Sequence, residues 1–257
     1  MIFETIALGQ ARLTVYARDN SPEIDSERRY PAVLILPGGG YNMCSDREAE
    51  PVALPFLAAG YTAAVLRYSV APARHPAQLH EAAAAMAYLR GHADKYHINP
   101  ARTFVCGFSA GGHLAAMLGC LWHETPQGEL ARPTGMILCY PVISGGEYAH
   151  RGSFESLTGS DAALTQALSL EKRVDERTAP TFIWTTADDG AVPAMNSILM
   201  AEAMAAQGIP YSLHIFPHGT HGLSMAEKLT APADSAAMVN GQVAWWFPLA
   251  MEWLRQF

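Results

Sequence analysis

A serine between glycines lies where one apolar segment ends and the next begins. Ser109 stands within Gly107-Phe108-Ser109-Ala110-Gly111-Gly112, after the apolar run 103–106 and before the Ala- and Leu-rich stretch 113–119. The run predicts a buried strand and the stretch predicts a helix, so Ser109 is expected on a sharp turn whose glycines avoid a Cβ collision. The helix start behind it favours developing negative charge. Such a serine is suited to nucleophilic attack on an acyl group.

A nucleophilic serine needs two further side chains, and candidates for both follow later apolar runs. A neutral imidazole must accept the serine proton, and a carboxylate must hold that imidazole in the correct tautomer. Asp188 and Asp189 follow one predicted strand, and His218 and His221 follow the last one. Because ligands bind beyond the carboxyl ends of parallel strands, these residues are expected near Ser109. The order serine, acid, histidine is one that serine hydrolases use.

The spacing leaves both the acid and the base open. Turn chemistry favours Asp189 as the acid, because it lies one step further into the turn. Asp188 is instead expected to cap that turn through hydrogen bonds with the backbone. His221 directly precedes Gly222 in a loop and is favoured as the base. His218 lies nearer the strand end and is expected to shape the loop.

The other histidine arrangements are expected to be structural. His214 falls inside the last strand, and His113 on the first helical turn after Ser109, so both are predicted to pack. The His218-x-x-His221 spacing resembles half of a zinc site, but no acidic or cysteine partner stands at ligand spacing. We therefore predict no metal and no cofactor.

Three consecutive glycines offer hydrogen-bond donors to a developing oxyanion. Gly38, Gly39 and Gly40 follow the apolar run 32–36, which reads as a buried strand. Acyl transfer places negative charge on the former carbonyl oxygen, and backbone N–H groups must point at it. The residue after the nucleophile, Ala110, supplies one such N–H group, and a glycine-rich loop supplies others. The alternative is that these glycines form only a flexible turn. That alternative does not explain why three consecutive glycines stand at the carboxyl end of this strand.

Composition indicates one globular domain. The 257 residues are half hydrophobic and only 16% charged, which predicts a substantial core in a single domain spanning residues 1–257. The formal net charge of −7 comes without a basic cluster, which argues against nucleic acid and anionic membranes as partners. A small-molecule ester substrate is expected instead. The oligomeric state stays open, with a homodimer as one alternative.

The cysteines and the N-terminal segment predict a cytoplasmic location. None of the four cysteines forms a C-x-x-C pair, and Cys106 and Cys139 lie in apolar runs, as reduced buried thiols do. The first residues lack a basic region followed by a long apolar stretch, so neither a signal peptide nor a membrane span is predicted.

The order of elements predicts an α/β fold with a mostly parallel, doubly wound sheet and flanking helices. Residues 142–178 are expected to form a small cap-like insertion over the C-terminal edge of the sheet, because a loop of this length normally has its own structure or function. The predicted strands are 2–8 and 11–17 as an antiparallel edge pair, then 32–36, 62–66, 103–106, 135–139, 181–185 and 211–216. The predicted helices are 47–59, 77–95, the stretch after Ser109, 193–207 and 243–257.

The sequence motifs resemble those of the α/β-hydrolase esterases from about residue 30 to the C-terminus. The most similar group is that of the bacterial acetyl esterases, including acetylxylan esterases. The matching segments are Pro37-Gly38-Gly39-Gly40-Tyr41, Gly107-Phe108-Ser109-Ala110-Gly111-Gly112-His113-Leu114-Ala115, Asp189-Gly190-Ala191-Val192-Pro193 and His221-Gly222-Leu223. Hormone-sensitive-lipase relatives carry His where this chain has Pro37, which argues against a long-chain lipase.

The resemblance implies a Ser-His-Asp triad. It implies Ser109 as nucleophile, His221 as base and Asp189 as the residue that orients it. The implied oxyanion donors are the N–H groups of Gly39, Gly40 and Ala110.

The resulting hypothesis is a serine carboxylesterase for short acyl groups, acetyl above all, on an alcohol such as a sugar or xylo-oligosaccharide. An insertion of this size leaves little material for a large lid. Tyr41, Tyr68 and Trp184 stand next to strand ends and are candidates for the pocket wall. The alternatives are a peptidase or another acyl hydrolase with the same triad, because fold does not fix substrate, and an inactive binding protein on a hydrolase scaffold.

Overall fold

The computed structural model describes all 257 residues. Its eight strands form one sheet in the order β1-β2-β4-β3-β5-β6-β7-β8. The strands are β1 (Ile2–Leu8), β2 (Ala11–Ala17), β3 (Tyr30–Leu36), β4 (Thr62–Arg67), β5 (Ile98–Phe108), β6 (Gly135–Cys139), β7 (Thr181–Thr186) and β8 (Tyr211–Phe216). The helices are α1 (Glu50–Ala58), α2 (Ala77–Gly91), α3 (Ala110–Leu121), α4 (Arg151–Thr158), α5 (Ala162–Ala167), α6 (Met195–Ala206) and α7 (Trp246–Leu254).

The predicted α/β fold with a mostly parallel sheet is confirmed. Only β1 with β2 and β2 with β4 pair antiparallel, and every pair from β4 across to β8 is parallel. The chain passes from β3 to β4 on one side and returns to β5 on the other side of β3. The carboxyl ends of β3 and β5 therefore flank the topological switch point, where ligands bind in such sheets.

The uniformly apolar strands follow from helices on both faces of the sheet. Along β3, Leu34 and Leu36 belong to a core shared with α2, α3 and α6, whereas Val33 and Ile35 belong to a second core shared with α1 and α7. Successive side chains of a strand point to opposite faces. With both faces covered, each position along this strand must be apolar.

Several predicted element ends differ from the structure. Strand β5 begins at Ile98, where a turn was expected, because Ile98 pairs with Tyr30 before an irregularity in the register. The helix predicted over 47–59 is divided into a 3-10 turn, Asp46–Glu48, followed by α1. The break falls at Ala49, with φ of −105° and ψ of −111°, directly after Glu48, whose carboxylate accepts the N–H of Gly38.

Three other helices, α2, α6 and α7, are shorter than predicted. Helix α2 ends at Gly91, α6 begins at Met195 two residues after Pro193, and α7 ends at Leu254 after a preceding 3-10 turn, Val243–Trp245. Hydrophobic periodicity extends beyond helix ends, so it does not locate the last turn. No helix of the structure combines the length and apolar character that a membrane span requires.

The insertion 142–178 lies against α3 and α6. It contains α4, α5 and a 3-10 turn, Leu170–Lys172. The Asn196 side chain on α6 accepts hydrogen bonds from the N–H groups of Ile143 and Ser144, at 2.9 and 3.0 Å. On α3, His113 Nε2 donates to the carbonyl of Leu168 at 2.9 Å. These buried contacts tie the start of the insertion to α6 and Leu168 to α3.

Candidate active site

Ser109 occupies a strained turn between β5 and α3. Its φ of 53° and ψ of −116° are uncommon for a residue with a side chain. A Cβ on Gly107 would lie 2.1 Å from the carbonyl oxygen of Gly111, and a Cβ on Gly111 would lie 2.1 Å from that of Leu36. The prediction that both flanking glycines avoid a Cβ collision is therefore confirmed.

A continuous hydrogen-bond chain links Ser109, His221 and Asp189. The Ser109 Oγ lies 2.7 Å from His221 Nε2, and His221 Nδ1 lies 2.7 Å from Asp189 Oδ2. A carboxylate can only accept, so Nδ1 carries the imidazole proton and Nε2 is free to accept from the serine hydroxyl. This is the tautomer that a general base requires.

The Asp189 carboxylate is fixed by backbone donors. Its Oδ1 accepts hydrogen bonds from the N–H groups of Ala191 and Val192, both at 2.9 Å, and its side chain is fully buried. The expectation that Asp188 caps this turn is wrong, because Asp189 takes those donors with one oxygen and reaches His221 with the other. A buried carboxylate needs all of these partners to offset its lost hydration.

The alternative acid and base form a separate pair at the surface. His218 Nδ1 lies 3.0 Å from Asp188 Oδ2, and the N–H of Gly219 donates to Asp188 Oδ1 at 2.7 Å. The hydrogen bond from His218 holds the pKa of the Asp188 carboxyl below its ordinary value. Neither side chain contacts Ser109.

The other two histidines pack as expected. His214 stacks on Phe182 with ring centroids 4.8 Å apart, and His113 is buried with both ring nitrogens bonded. Burial lowers the pKa of His113 to about 4. No group of three or more His, Cys, Asp and Glu side chains in the structure is arranged to hold a metal ion.

The predicted oxyanion loop, Gly38–Gly40, follows β3 beside the Ser109 turn. Gly39 and Gly40 have φ of 128° and 63°, in the region that favours glycine. Their N–H groups make no hydrogen bond to protein atoms, whereas the N–H of Gly38 donates to Glu48. Ala110 is the first residue of α3, where the N–H lacks a partner within the helix. The loop and the helix start thus leave donors for an anionic ligand.

Sequence reasoning missed a buried acid and a tyrosine beside these groups. Glu48 is 3% exposed; its Oε2 accepts from the N–H of Gly38 at 2.8 Å and its Oε1 accepts from the Tyr140 hydroxyl at 2.6 Å. The Tyr140 oxygen in turn accepts from the N–H of Ser224 at 2.8 Å. Burial raises the pKa of Glu48. Only the place of Tyr140, directly after a predicted strand, signalled a role.

The three aromatic residues predicted for the pocket wall lie in the core instead. Tyr41 bonds through its hydroxyl to His113 Nδ1 at 2.9 Å, and Tyr68 donates to the carbonyl of Pro37 at 2.6 Å. Trp184 is fully buried. All three side chains face inward because they follow or belong to elements that are covered on both sides, so they support the site from behind.

An aromatic cluster connects His221 to the core. The Tyr140 ring packs edge-on against His221 at 5.1 Å and against Trp184 at 4.9 Å. Trp184 stacks on Trp246 of α7 with centroids 5.5 Å apart. The imidazole therefore rests on a rigid apolar support as well as on its carboxylate.

Comparisons with known proteins agree with this architecture. The family model BD-FAE matches residues 20–134. The chain is 38% identical to endo-1,4-beta-xylanase B of Butyrivibrio fibrisolvens, over 76% of this chain and 32% of that protein. It is 32% identical to an acetylxylan esterase of Xylanibacter ruminicola, over 78% of this chain and 42% of that protein. The chain thus spans well under half the length of these curated relatives.

Solved structures resemble the chain over nearly its whole length. An acetyl ester-xyloside bifunctional hydrolase from Caldicellulosiruptor lactoaceticus is 38% identical, with a TM-score of 0.84 over 96% of this chain and 88% of that one. The carboxylesterase Cest-2923 from Lactobacillus plantarum is 30% identical, with a TM-score of 0.88 over 100% of this chain and 98% of that one. The fold is that of an α/β-hydrolase. The chain belongs to the α/β-hydrolase esterases.

Proposed function

We propose that the chain is a serine carboxylesterase that hydrolyses short-chain acyl esters, with acetyl esters of sugars or xylo-oligosaccharides as substrates. The hydrogen-bond chain from Ser109 through His221 to Asp189, 2.7 Å at each step, carries the proposal. Family membership supports ester hydrolysis as the reaction.

In the first half-reaction, Ser109 Oγ forms a bond to the ester carbonyl carbon while His221 Nε2 takes the hydroxyl proton. The negative charge that develops on the carbonyl oxygen rests on the N–H groups of Gly39, Gly40 and Ala110. Collapse of this intermediate breaks the bond to the alcohol oxygen, and His221 returns the proton to the departing alcohol. An acyl-Ser109 ester remains.

The second half-reaction uses the same groups with water as nucleophile. His221 takes a proton from water as the water oxygen attacks the acyl carbon, and the oxyanion rests on the same donors. The proton then goes to Ser109 Oγ, which leaves, and the carboxylic acid is released. Asp189 stabilises the imidazolium in both half-reactions and does not itself take up a proton.

The insertion supports a short acyl group. Helix α4 lies beside the oxyanion loop, and a Cβ on Gly40 would be in ordinary van der Waals contact with the Ser153 hydroxyl, at 3.8 Å. Ser153 is buried and bonded to His150, the residue at the start of α4. This packing favours a compact site over an open channel for a long acyl chain.

The named relatives support acetylated xylan fragments as substrates. One curated relative is an acetylxylan esterase, and one similar structure is an acetyl ester-xyloside bifunctional hydrolase. An acetylated xylose has both features of the proposed substrate, a short acyl group and a polar alcohol.

The test is hydrolysis of para-nitrophenyl acetate, butyrate and octanoate by the wild type, Ser109→Ala and the exposed control Ser26→Ala. We expect activity to fall with acyl length, to vanish in Ser109→Ala and to stay unchanged in Ser26→Ala. Acetate release from acetylated xylo-oligosaccharides tests the alcohol. Turnover that survives Ser109→Ala would contradict the mechanism, and activity that rises with acyl length would contradict the substrate class.

A further inference from the structure

We infer that Glu48 is a positioning residue for this reaction, which joins the oxyanion loop to the histidine loop and holds a negative charge beside His221. The histidine loop is defined here as residues 217–226. The inference rests on the proposed function, because it assigns Glu48 a part in the serine esterase mechanism. The hydrogen bonds of Glu48 go to Gly38 and Tyr140 and not to Ser109, Gly39 or Gly40.

The two carboxylate oxygens of Glu48 reach in opposite directions. One accepts the N–H of Gly38 at 2.8 Å and so fixes the residue that precedes the two free oxyanion donors. The other accepts the Tyr140 hydroxyl at 2.6 Å, and that hydroxyl accepts the N–H of Ser224 at 2.8 Å. Glu48, through the Tyr140 hydroxyl, therefore connects the two loops that must meet at the substrate.

The residue before Glu48 makes a second connection to the histidine loop. Arg47 donates through Nη2 to the carbonyl of Gly222 and through Nε to that of Thr230, both at 2.6 Å. The Ser224 hydroxyl donates to the Arg47 carbonyl at 2.6 Å. The 3-10 turn that carries Arg47 and Glu48 is thus hydrogen-bonded to the histidine loop at Gly222 and Ser224, and to Thr230 beyond it.

The hydrogen-bond directions favour an ionised Glu48. The N–H of Gly38 can only donate to one carboxylate oxygen, and the other oxygen is the acceptor at 2.6 Å for the hydroxyl proton of Tyr140, whose own oxygen accepts from the N–H of Ser224. The guanidinium of Arg47 is bonded to backbone carbonyls and forms no ion pair with Glu48. The negative charge of Glu48 is therefore not paired with Arg47, and it stabilises a positive charge on His221 across the Tyr140 ring.

Other charges around the two groups do not cancel this effect. Asp189 adds a second negative charge at His221. The half-buried His150 of the insertion interacts electrostatically with both Asp189 and His221. Around Glu48, Arg47 is the cationic neighbour, and the Tyr68 and Cys139 groups are neutral because burial raises the pKa of each. When His221 takes the Ser109 proton, Glu48 and Asp189 both stabilise the imidazolium.

The test compares Glu48→Gln, Glu48→Asp and the control Glu50→Gln, whose side chain is exposed on α1. We expect Glu48→Gln to lower kcat with para-nitrophenyl acetate by about tenfold to a hundredfold, because misplacement of loops by about 1 Å has effects of this size. KM should change little. The acid limb of the kcat/KM profile should move to lower pH, because the imidazolium loses a nearby negative charge.

The two other variants separate charge from shape. Glu48→Asp keeps the charge and shortens the side chain, so kcat falls while the acid limb stays in place. Glu50→Gln should match the wild type. A wild-type kcat and acid limb in Glu48→Gln would overturn the inference, and so would an equal loss of kcat in both Glu48 variants with no movement of the limb.

If Glu48→Gln does not fold, Tyr140→Phe tests the same inference. Tyr140→Phe keeps the Glu48 charge and removes the connection to Ser224, so we expect a lower kcat with an unmoved acid limb. A wild-type kcat in Tyr140→Phe would overturn the inference. Ser109→Ala is measured alongside: residual turnover there contradicts the proposed function, whereas inactive Ser109→Ala with wild-type Glu48→Gln contradicts only the role of Glu48.

Discussion

Two aspartate–histidine pairs stand side by side at the carboxyl ends of β7 and β8. Asp189 and His221 are 2.7 Å apart with side chains 0% and 22% exposed, whereas Asp188 and His218 are 3.0 Å apart and 53% and 83% exposed. The pairs have the same chemistry and nearly the same spacing. Consecutive aspartates point one inward and one outward, and only the inner pair reaches Ser109.

The difference shows that environment, rather than the pair itself, defines a candidate active site. The inner carboxylate has given up water for two backbone donors and an imidazole, so each partner is held in one geometry. The outer pair stays hydrated and screened, and exposed ion pairs contribute little to stability. Removal of either pair should therefore have very different consequences.

The sharpest test of this contrast exchanges each histidine for alanine. His221→Ala should lower kcat with para-nitrophenyl acetate by on the order of 10⁶, because serine and base act as one unit. His218→Ala should retain nearly full activity, since its imidazole has no contact with Ser109. Equal losses in the two variants, measured on folded protein, would remove the distinction between the pairs.

The second test addresses the two carboxylates. Asp189→Asn should lower kcat by about 10⁴, because an amide no longer holds His221 in the tautomer that accepts the serine proton. Asp188→Asn is the matched control in the adjacent position and should change kcat less than about twofold, as surface substitutions away from the site do. A large loss in Asp188→Asn would show that the outer pair also serves the reaction.

A third test perturbs an anchor that both pairs share. The buried Thr186 hydroxyl at the end of β7 donates to the carbonyl of Gly219 at 2.7 Å, in the loop between His218 and His221. Thr186→Val should lower the free energy of unfolding by about 1 kcal/mol, the usual contribution of one such hydrogen bond. Chemical denaturation measures this change. A fall in kcat that leaves KM unchanged would show that the same anchor positions His221.

The smallest expected effect concerns stability and pH. Because the pKa of Asp188 is lowered in the folded protein, its pair stabilises the fold above the ordinary value of 3.8 and loses that effect as pH falls through the lowered value. Asp188→Asn should therefore lower Tm slightly at pH 7, by less than about 3 °C, and the difference from the wild type should shrink as the pH falls below 3.8. Tm measured in low salt over a series of pH values from 7 downwards checks this, and a difference that grows in acid would contradict it.

Much of this architecture could be predicted from the sequence, because the signals are local. Uniformly apolar runs predict strands covered on both faces, and β3 shows the two cores that require them. The glycines around Ser109 predict a turn without room for a Cβ, and the distances at Gly107 and Gly111 agree. The residues that the motifs favoured also come together, while their catalytic roles stay predictions until the variants are measured.

The remainder depends on contacts between residues distant along the chain. Glu48 reads as an ordinary polar residue at the start of a helix, and only its meeting with Tyr140, 92 residues away, makes it a buried acceptor. The choice of Asp189 over Asp188 as the turn cap likewise depends on which side chain finds backbone donors. The prediction that Tyr41, Tyr68 and Trp184 line the pocket is wrong, because proximity to a strand end does not indicate whether a side chain points into the core or towards the site.

The stacked indoles of Trp184 and Trp246 give the molecule an intrinsic optical signal. Trp184 contacts Tyr140, whose ring packs against His221, so a change of charge on the imidazole occurs one aromatic ring away from a buried fluorophore. Indole emission responds to nearby charge. A pH titration of the emission of the unlabelled protein should therefore report protonation of the imidazole without a chromogenic substrate, and His221→Ala should lose that response.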